Sequence, residues 1–168
     1  LPKEQGGAGE GPRAFTEVVR ALAEVDASVA MIYVMHVCGT ACIVAAPKSP
    51  RTRELIKEIA SGNHLTTLAF SEKGSRSHFW APVSRAQVTG QTVRLTALKT
   101  FVTSAAHAQS YVVSSLSPAG TSVNDSTLYL VPAKTPGVLV GAEWDGMGLR
   151  ANESSAIQLE DVEVPLDS

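Results

Sequence analysis

The hydrophobic pattern changes near residue 62, from a helix-like period to a strand-like one. In the first part, apolar residues recur every three or four positions, which is the spacing of one helix face. Pro12 and Pro50 stand where proline favours the first turn of a helix, and Asp26 is a good N-cap. The predicted helices run from Pro12 to Glu24, from Asp26 as N-cap to about Ala46, and from Pro50 to just before Gly62.

The second predicted helix is apolar on every side. Val29–Ala46 spans 18 residues without a formal charge, which meets the length rule for a membrane-spanning helix. It contains His36, Gly39 and Thr40, however, and its ends lack the aromatic residues that anchor a span at the membrane surface. We interpret it as the core helix of a bundle and predict no membrane span. Such a helix needs neighbours all round, so we expect the strands, a partner subunit or further helices to cover it.

After residue 62, short runs rich in β-branched and aromatic residues alternate with turn signals such as "TGQT" and "EWDGMG". About eight such runs at regular spacing predict an all-β unit, either a barrel or a sandwich. The predicted strands are Thr66–Phe70, Val83–Val88, Thr92–Thr96, Lys99–Thr103, Ser110–Ser115, Thr127–Pro132, Gly137–Gly141 and Ser155–Glu160.

Composition and charge argue against several classes of function. The formal charge is −2, and the one basic cluster, Lys48–Arg53, lies at a helix start, so we expect no nucleic-acid partner. Cys38 and Cys42 lie four apart on one predicted helix, where they are badly placed for a mutual disulfide and have no companions for a metal site. Reduced cysteines and the lack of an opening signal peptide favour a cytoplasmic location.

The common catalytic and nucleotide-binding motifs are missing from the sequence. It contains no G-x-G-x-x-G after a strand, no Walker loop and no G-x-S-x-G elbow. His64, His78 and His107 stand in three separate polar loops, where an ordinary exposed histidine is the commoner occurrence.

One constellation remains, at the ends of two predicted strands. Ser71 ends the strand in "LAFSE", and a polar loop, "GSRSHFW", follows it. Phe101 and Thr103 in "LKTFVTS" are two residues apart, so a regular strand places them on the same side. An aromatic face beside a hydroxyl suits a planar heteroaromatic ligand, although the same two residues are also common in a plain core.

Several segments, taken in order, resemble those of the acyl-CoA dehydrogenase family. They include "LPKEQGGAGE" for the family's P-x-E-x-G-G-x-G, and "LAFSEKGSRSHF" for L-T-E-P-x-A-G-S-D. They also include "LKTFVTSAAHAQSYVV" for G-x-K-x-[WF]-I-T-N-x-x-x-A, and "WDGMGLRANESSAIQLEDVEVP" for the end of the barrel. The resemblance implies an α+β fold, with a partial N-terminal helical bundle over residues 1–62 and a roughly eight-stranded antiparallel β-barrel over residues 63–168.

The resemblance also implies an FAD site. By position, the main chain at Phe70 and the hydroxyl of Ser71 would meet the pyrimidine edge of the flavin. Phe101 would stack on the isoalloxazine ring, and Thr103 would form a hydrogen bond near N5. Ser77 would lie near the pyrophosphate.

The implied reaction is α,β-dehydrogenation of an acyl-CoA or related acyl thioester. Ser77 and His78 are the candidate substrate-binding residues, and family members usually assemble as dimers or tetramers. In the family, a glutamate in a C-terminal helical domain removes the α-proton, and no carboxylate here occupies its motif. We therefore expect that base from outside these 168 residues, assign no catalytic residue or metal ligand, and interpret Glu72 as structural.

Two departures from the family signature leave other functions open. Lys73 stands where the family has proline, and Arg76 where it has glycine. A side chain at Arg76 costs about 1 kcal/mol if the loop needs a positive φ there. A solvent-facing arginine is the simple expectation, and binding of a cofactor diphosphate is the alternative. A flavin monooxygenase or oxidase of the same fold, or a non-catalytic subunit of a hetero-oligomer, are the alternative functions.

Overall fold

The computed structural model describes residues 1–46, 49–76, 78–142 and 145–166. It contains three α-helices, seven β-strands and two short 3₁₀ turns. The helices are α1 (Pro12–Val25), α2 (Ala27–Ala45) and α3 (Pro50–Ala60). The strands are β1 (Thr66–Ala69), β2 (Gln87–Thr89), β3 (Thr92–Val102), β4 (Ser110–Leu116), β5 (Ser126–Pro132), β6 (Val138–Val140) and β7 (Ser155–Pro165). The 3₁₀ turns are Lys3–Gln5 and Arg150–Asn152.

The three helices begin at the residues that the sequence predicts. Pro12 and Pro50 lie in the first turns of α1 and α3. The Asp26 carboxylate accepts hydrogen bonds from the backbone N–H groups of Ser28 (2.7 Å) and Val29 (3.2 Å), which satisfies two otherwise unpaired donors of α2. A reciprocal capping box between Ser49 and Thr52 does the same for α3.

Helix α2 packs against α1 and β1 but is only partly covered. At Gly39 it approaches β1 so closely that an added Cβ would lie 3.1 Å from Thr66 Cγ2. Nearby, His36 Nδ1 accepts a hydrogen bond from the Thr66 N–H at 3.2 Å. By length and composition alone α2 is long and apolar enough to cross a membrane, and the described part of this chain buries 28% of it. The packing on β1 is that of a core helix, and further coverage from outside this chain stays a prediction.

The α+β class is confirmed, whereas the predicted barrel of roughly eight antiparallel strands is not: the strands of the described residues form two sheets, and neither closes into a barrel. One sheet has the order β1-β4-β5 and the other β2-β3-β7-β6. The pair β1–β4 is parallel, while the other pairs are antiparallel. Two predicted strands, Thr92–Thr96 and Lys99–Thr103, are one strand, β3, whose register with β7 shifts twice. These two register shifts interrupt the alternation of side chains between the faces of the sheet, but they do not end the strand.

Both faces of the β1-β4-β5 sheet are covered. On one face Tyr111 and Val113 join the core between the two sheets, and the Tyr111 hydroxyl donates a hydrogen bond to the Ala105 carbonyl at 2.5 Å. On the other face Val112 packs with Ile43 of α2 and Ile56 of α3. The buried sheet fixes the end of β1, from which the candidate site begins. The domain boundary predicted between residues 62 and 63 stays a prediction.

Candidate flavin site at two strand ends

The two predicted strand ends lie side by side. The Thr100 N–H donates a hydrogen bond of 2.8 Å to the carbonyl of Ser71. Glu72, one residue after Ser71, and Lys99, one residue before Thr100, form an isolated antiparallel bridge. The Thr100–Ser71 hydrogen bond makes the segment at Ser71 a neighbour of the segment at Thr100 and Phe101. The binding of a ligand by these residues stays a prediction.

A bulge in β3 turns the Phe101 ring outward. The register with β7 shifts between Lys99 and Val102, and Phe101 itself has a φ of +56°. Phe101 is 64% exposed as a residue, whereas Thr103 is only 4% exposed. The Thr103 hydroxyl lies 3.4 Å from the hydroxyl of Ser154. The predicted two-residue alternation does not apply here, because β3 is bulged and ends at Val102 before Thr103 is reached.

A buried ion pair lies directly beneath the two strand ends. Lys99 is 0% exposed, and its ammonium is 2.5 Å from Glu72 Oε1. The same ammonium donates to the carbonyl of Ser114 at 2.5 Å and to that of Phe70 at 3.3 Å. Buried charges are tolerated when they are paired and hydrogen-bonded in this way. The pair therefore links β1, β3 and β4 at one point.

Burial and mutual attraction shift the pKa values of both partners. Burial alone would raise the pKa of Glu72, but the Lys99 charge and the hydrogen bonds from Lys99 and Ser84 hold that pKa below its ordinary value. Burial lowers the pKa of Lys99, and the Glu72 carboxylate offsets only part of this effect. Each partner stabilises the charged form of the other, which opposes the effect of burial.

Glu72 also closes the polar loop that follows it. Its Oε2 accepts hydrogen bonds from the N–H groups of Val83 (2.9 Å) and Ser84 (2.7 Å), and its Oε1 accepts one from the Ser84 hydroxyl (2.6 Å). The carboxylate thus fastens the far end of the loop to its beginning. The interpretation of Glu72 as structural agrees with these contacts. They explain how so polar a loop keeps a defined base after the buried strand β1.

The loop has the backbone conformation that the family's glycine would favour. Gly74 has a φ of +99° and Arg76 a φ of +52°, so Arg76 is in the left-handed region. The Arg76 side chain is exposed, as the simple expectation has it. Arg76 therefore adopts the positive φ that the sequence analysis considered. The expected cost in folding stability, about 1 kcal/mol, applies to it.

The remaining candidate residues occupy varied environments. Phe70 and Ser71 are half-buried, and the Ser71 hydroxyl makes no hydrogen bond to any other described residue. The Phe70 carbonyl accepts hydrogen bonds from the Lys99 ammonium at 3.3 Å and from the Ser114 hydroxyl at 3.4 Å. His78 is exposed, with its ring 5.0 Å from that of Trp80. Ser77, predicted to contact cofactor and substrate, lies outside the described residues.

The other histidines have partners of their own. His64 Nε2 is 2.8 Å from the Ser110 hydroxyl, and burial lowers the pKa of His64. His107 contacts the Glu153 carboxylate. Within the four described ranges, no group of three His, Cys, Asp or Glu residues could hold a metal ion.

Sequence reasoning missed the residues that hold the site together, Lys99 above all. Its signal was present: a lysine and a glutamate each stand inside an otherwise apolar strand end, one in each of the two signatures. Charged residues at buried strand positions require a partner, so the two predict each other. Ser84 and Ser114 carried no comparable signal, because serine is common on strands and in loops alike.

Comparison with known proteins identifies the family. A sequence profile of the acyl-CoA dehydrogenase middle domain matches residues 67–162. The mitochondrial short-chain specific acyl-CoA dehydrogenase of Bos taurus is 26% identical over 169 residues, covering 100% of this chain and 41% of that protein. The 3-(aryl)acrylate reductase of Clostridium sporogenes is 28% identical over 167 residues, covering 98% of this chain and 44% of that protein. The chain thus spans less than half the length of these relatives.

Solved structures share the fold of this chain, and the match to the sequence profile shows the family to which it belongs. A probable acyl-CoA dehydrogenase from Mycobacterium abscessus superimposes with a TM-score of 0.90 at 24% identity, over 99% of this chain and 45% of that one. A glutaryl-CoA dehydrogenase from Mycobacterium smegmatis, in complex with FADH2, superimposes with a TM-score of 0.68 at 22% identity, over 76% and 32%. Since the profile spans more than half of its residues, the chain belongs to the acyl-CoA dehydrogenase family, with the middle domain at residues 67–162.

Proposed function

We propose that this chain supplies the flavin-binding part of an FAD-dependent acyl-CoA dehydrogenase. The observation that carries the proposal is the convergence of the two strand ends. They place the exposed Phe101 ring beside the half-buried Ser71 segment, one residue beyond the hydrogen bond from Thr100 to Ser71. The membership of the family supports the same conclusion.

The residues present fit a flat heteroaromatic cofactor. Phe101 is 64% exposed and carries an aromatic ring of the kind that stacks on a flat ligand, and the Ser71 hydroxyl has no partner among the described residues. We assign stacking to Phe101, polar contacts at the ring edge to Ser71 and the Phe70 main chain, and a hydrogen bond to Thr103. When bound, FAD supplies the acceptor for a hydride from the β-carbon of an acyl thioester. The protein's part is to hold the ring against these groups.

Proton removal from the α-carbon requires a base, and Glu72 is unsuitable. Its carboxylate is bound to Lys99 and to the loop amides, and its pKa is below the ordinary value. A general base must be free to accept a proton. The proposal therefore takes the base from outside these 168 residues, as the family resemblance implies.

Substrate, assembly and location belong to the same proposal. We assign the substrate as an acyl-CoA or related acyl thioester, contacted by Ser77 and His78. The partly covered helix α2 supports assembly into a homo-oligomer, a dimer or tetramer, or into a hetero-oligomer. The cytoplasm is the proposed location, from the two free cysteines.

Titration of the purified chain with FAD, followed by flavin fluorescence, tests the proposal. We expect saturable binding that Phe101→Ala weakens about tenfold, because base–aromatic stacking contributes on that scale. Ser71→Ala should weaken binding several-fold through the lost polar contact. Leu139→Ala, on β6 and 49% exposed, is the matched surface control and should bind as the parent chain does.

Equal affinity in all four proteins would contradict the proposed site. If the chain stays colourless and FAD gives no rise in Tm, the non-catalytic subunit becomes the better assignment, and the strained Arg76 is the observation that favours it. Rapid reoxidation of the reduced flavin by oxygen, without an acyl-CoA requirement, would instead favour an oxidase or monooxygenase.

A further inference from the structure

A serine, a histidine and a glutamate meet at the opposite end of β1 from the candidate flavin site. Ser110 begins β4, His64 stands two residues before β1, and Glu58 lies in the last turn of α3. Thr66, the first residue of β1, pairs with Ser110, whereas Ser71 follows the end of that strand. The extended chain between these two ends of β1 is about 16 Å long. The cluster is therefore separate from the residues assigned to the flavin.

The three side chains have the arrangement of a nucleophile, a base and an orienting acid. His64 Nε2 lies 2.8 Å from Ser110 Oγ, and His64 Nδ1 lies 3.6 Å from Glu58 Oε2. The carboxylate favours the imidazole tautomer that carries its proton on Nδ1, which leaves the lone pair of Nε2 facing the Ser110 hydroxyl. A serine hydroxyl becomes a nucleophile when a neighbouring base takes its proton in this way.

Neighbouring hydrogen bonds hold the serine and the histidine in place. The Thr66 hydroxyl lies 3.0 Å from Ser110 Oγ and donates to the Ser110 carbonyl at 3.3 Å. The segment that carries His64 is fixed by two hydrogen bonds between Leu65 and Gln109. The Leu65 N–H donates to Gln109 Oε1 at 2.6 Å, and the Gln109 N–H donates to the Leu65 carbonyl at 2.8 Å. Groups that are positioned before a substrate binds lower the entropic cost of the reaction.

The base of the cluster is in its neutral form at neutral pH. Burial lowers the pKa of His64, and the nearby His36 of α2 lowers it further, while the Glu58 carboxylate raises it. The net shift is downward from 6.5, so the imidazole that can accept a proton predominates above that pH.

A cleft of about 270 Å³ opens onto the cluster. Part of its wall is apolar and consists of Leu55, Leu130 and Pro132, and His64, Gln109 and Ser110 also line it. Ser110 is only 2% exposed, so its hydroxyl lies deep in the cleft. The Gln109 amide nitrogen is available to donate to a carbonyl oxygen, because Oε1 is the atom of this side chain that binds Leu65. A small cleft with an apolar wall suits a short acyl chain.

We propose that Ser110, His64 and Glu58 form a second active site, which hydrolyses small acyl esters and thioesters. The Ser110 oxygen forms a bond to the acyl carbon while its proton passes to His64 Nε2. The bond from that carbon to the alcohol or thiol then breaks, and the leaving group takes the proton from His64. Glu58 is a positioning residue that orients the imidazole. This activity goes beyond the proposed function and uses no flavin.

Water completes the cycle. His64 takes a proton from a water molecule as the water oxygen bonds to the acyl carbon, and it returns that proton to the Ser110 oxygen as the ester bond breaks. The products are a carboxylic acid and the alcohol or thiol, and no oxidant or reductant is consumed. The acyl-serine is the intermediate that an experiment can trap.

Hydrolysis of p-nitrophenyl acetate by the flavin-free chain tests the proposal. We expect saturable release of p-nitrophenol, and peptide mass spectrometry after an acid quench should find acetyl on Ser110. Ser110→Ala and His64→Gln should each lower the rate about 100-fold, which is the scale of general-base catalysis. Two matched controls should keep the parental rate. Ser115→Ala removes another buried serine of β4, and His107→Gln removes a histidine that contacts a glutamate but no serine.

The role of Glu58 has its own readout, the pH profile. The rate should rise with pH through the pKa of His64, with a midpoint below 6.5, because only the neutral imidazole accepts the proton. Glu58→Gln should lower the rate several-fold and move the midpoint to still lower pH, since the carboxylate favours the charged imidazole. Glu54→Gln, one turn earlier on α3 and paired with Lys57 at 3.2 Å, is the control and should leave the midpoint unchanged.

A parental rate in Ser110→Ala, or acetyl found only on other residues, would overturn the inference. Should Ser110→Ala fail to fold by thermal melting, Ser110→Cys, which keeps a nucleophile of similar size, decides the matter. Acetyl trapped on the cysteine supports the site, and its absence there rejects it. Flavin binding by Ser110→Ala should equal that of the parent chain, so the esterase site and the proposed flavin site can each fail without the other.

Discussion

Individual residues at the candidate site are held in backbone conformations that cost free energy. Arg76 and Phe101 both have positive φ angles, of +52° and +56°, and neither is a glycine. Such residues persist where the surrounding structure determines them, and they cluster at functional sites. For Phe101 the conformation coincides with the bulge between Lys99 and Val102, where the proposed stacking contact lies. For Arg76 it occurs in the polar loop, with the side chain exposed.

Arg76→Gly should stabilise the fold. Glycine adopts a φ of +52° without steric cost, and the gain is partly offset by the greater entropy of glycine in the unfolded chain. We expect the free energy of unfolding to rise by about 0.5–1 kcal/mol in urea denaturation. A neutral or destabilising substitution would show that the conformation at position 76 carries no strain.

At the scale of elements, the Glu72–Lys99 pair joins three strands and one loop. Lys99 lies on β3, its ammonium contacts the Ser114 carbonyl of β4, and Glu72 follows β1 and binds Ser84. Removal of one partner leaves the other charge buried and unpaired, which is the costly case. Replacement of both partners by uncharged side chains of similar shape is much cheaper.

A double-mutant cycle measures this coupling. Glu72→Gln and Lys99→Met should each lower the free energy of unfolding by about 3–5 kcal/mol, and the double variant should recover most of the loss. Glutamine keeps an acceptor for the loop amides, which isolates the charge effect. Arg20→Gln removes an exposed pair with Glu24, 62% and 64% exposed, and should cost less than about 0.5 kcal/mol. Simple additivity of the two buried substitutions would refute the coupling.

The same pair predicts a pH dependence. Because the folded pKa of Glu72 lies below the ordinary value of 4.5, its contribution is complete above about pH 4.5 and is lost as the pH falls through the folded pKa. The stability gap between the parent chain and Glu72→Gln should therefore narrow as acid protonates Glu72. Urea denaturation at a series of pH values from neutral to acid checks this. A gap that stays constant or widens in acid would contradict the assignment of charge.

The elements differ in how far sequence predicts them. The helix starts could be predicted because Asp26, Ser49 and the two prolines act locally, through caps and first-turn preference. The prediction of two strands in place of β3 was wrong, because the bulges of β3 break the two-residue alternation of side chains that marks a strand. Nothing local in residues 95–99 signals that pairing with β7 continues. Sheet closure and the parallel β1–β4 pair depend on long-range pairing, which local patterns do not encode.

At the scale of the whole molecule, the site could be predicted in part. The resemblance assigned Ser71 and Phe101 to one flavin site, and the Thr100–Ser71 hydrogen bond makes their two segments neighbours, while the binding of a flavin there stays a prediction. The different exposure of Phe101 and Thr103 could not be predicted, because it arises from the bulge rather than from spacing. The chain covers 41% of its bovine relative, and its described residues bury 28% of α2. The groups that would cover the rest of α2 therefore belong to the proposed assembly.

Backbone amide chemical shifts of the chain during titration with FMN test most directly whether one flat ring binds at both strand ends. The chain has a mass of 17.6 kDa, which suits such a measurement. We predict saturable changes that are largest at residues 70–72 and 99–103 together, and that are lost in Phe101→Ala. No saturable change, or changes confined to helices α1–α3, would contradict the account.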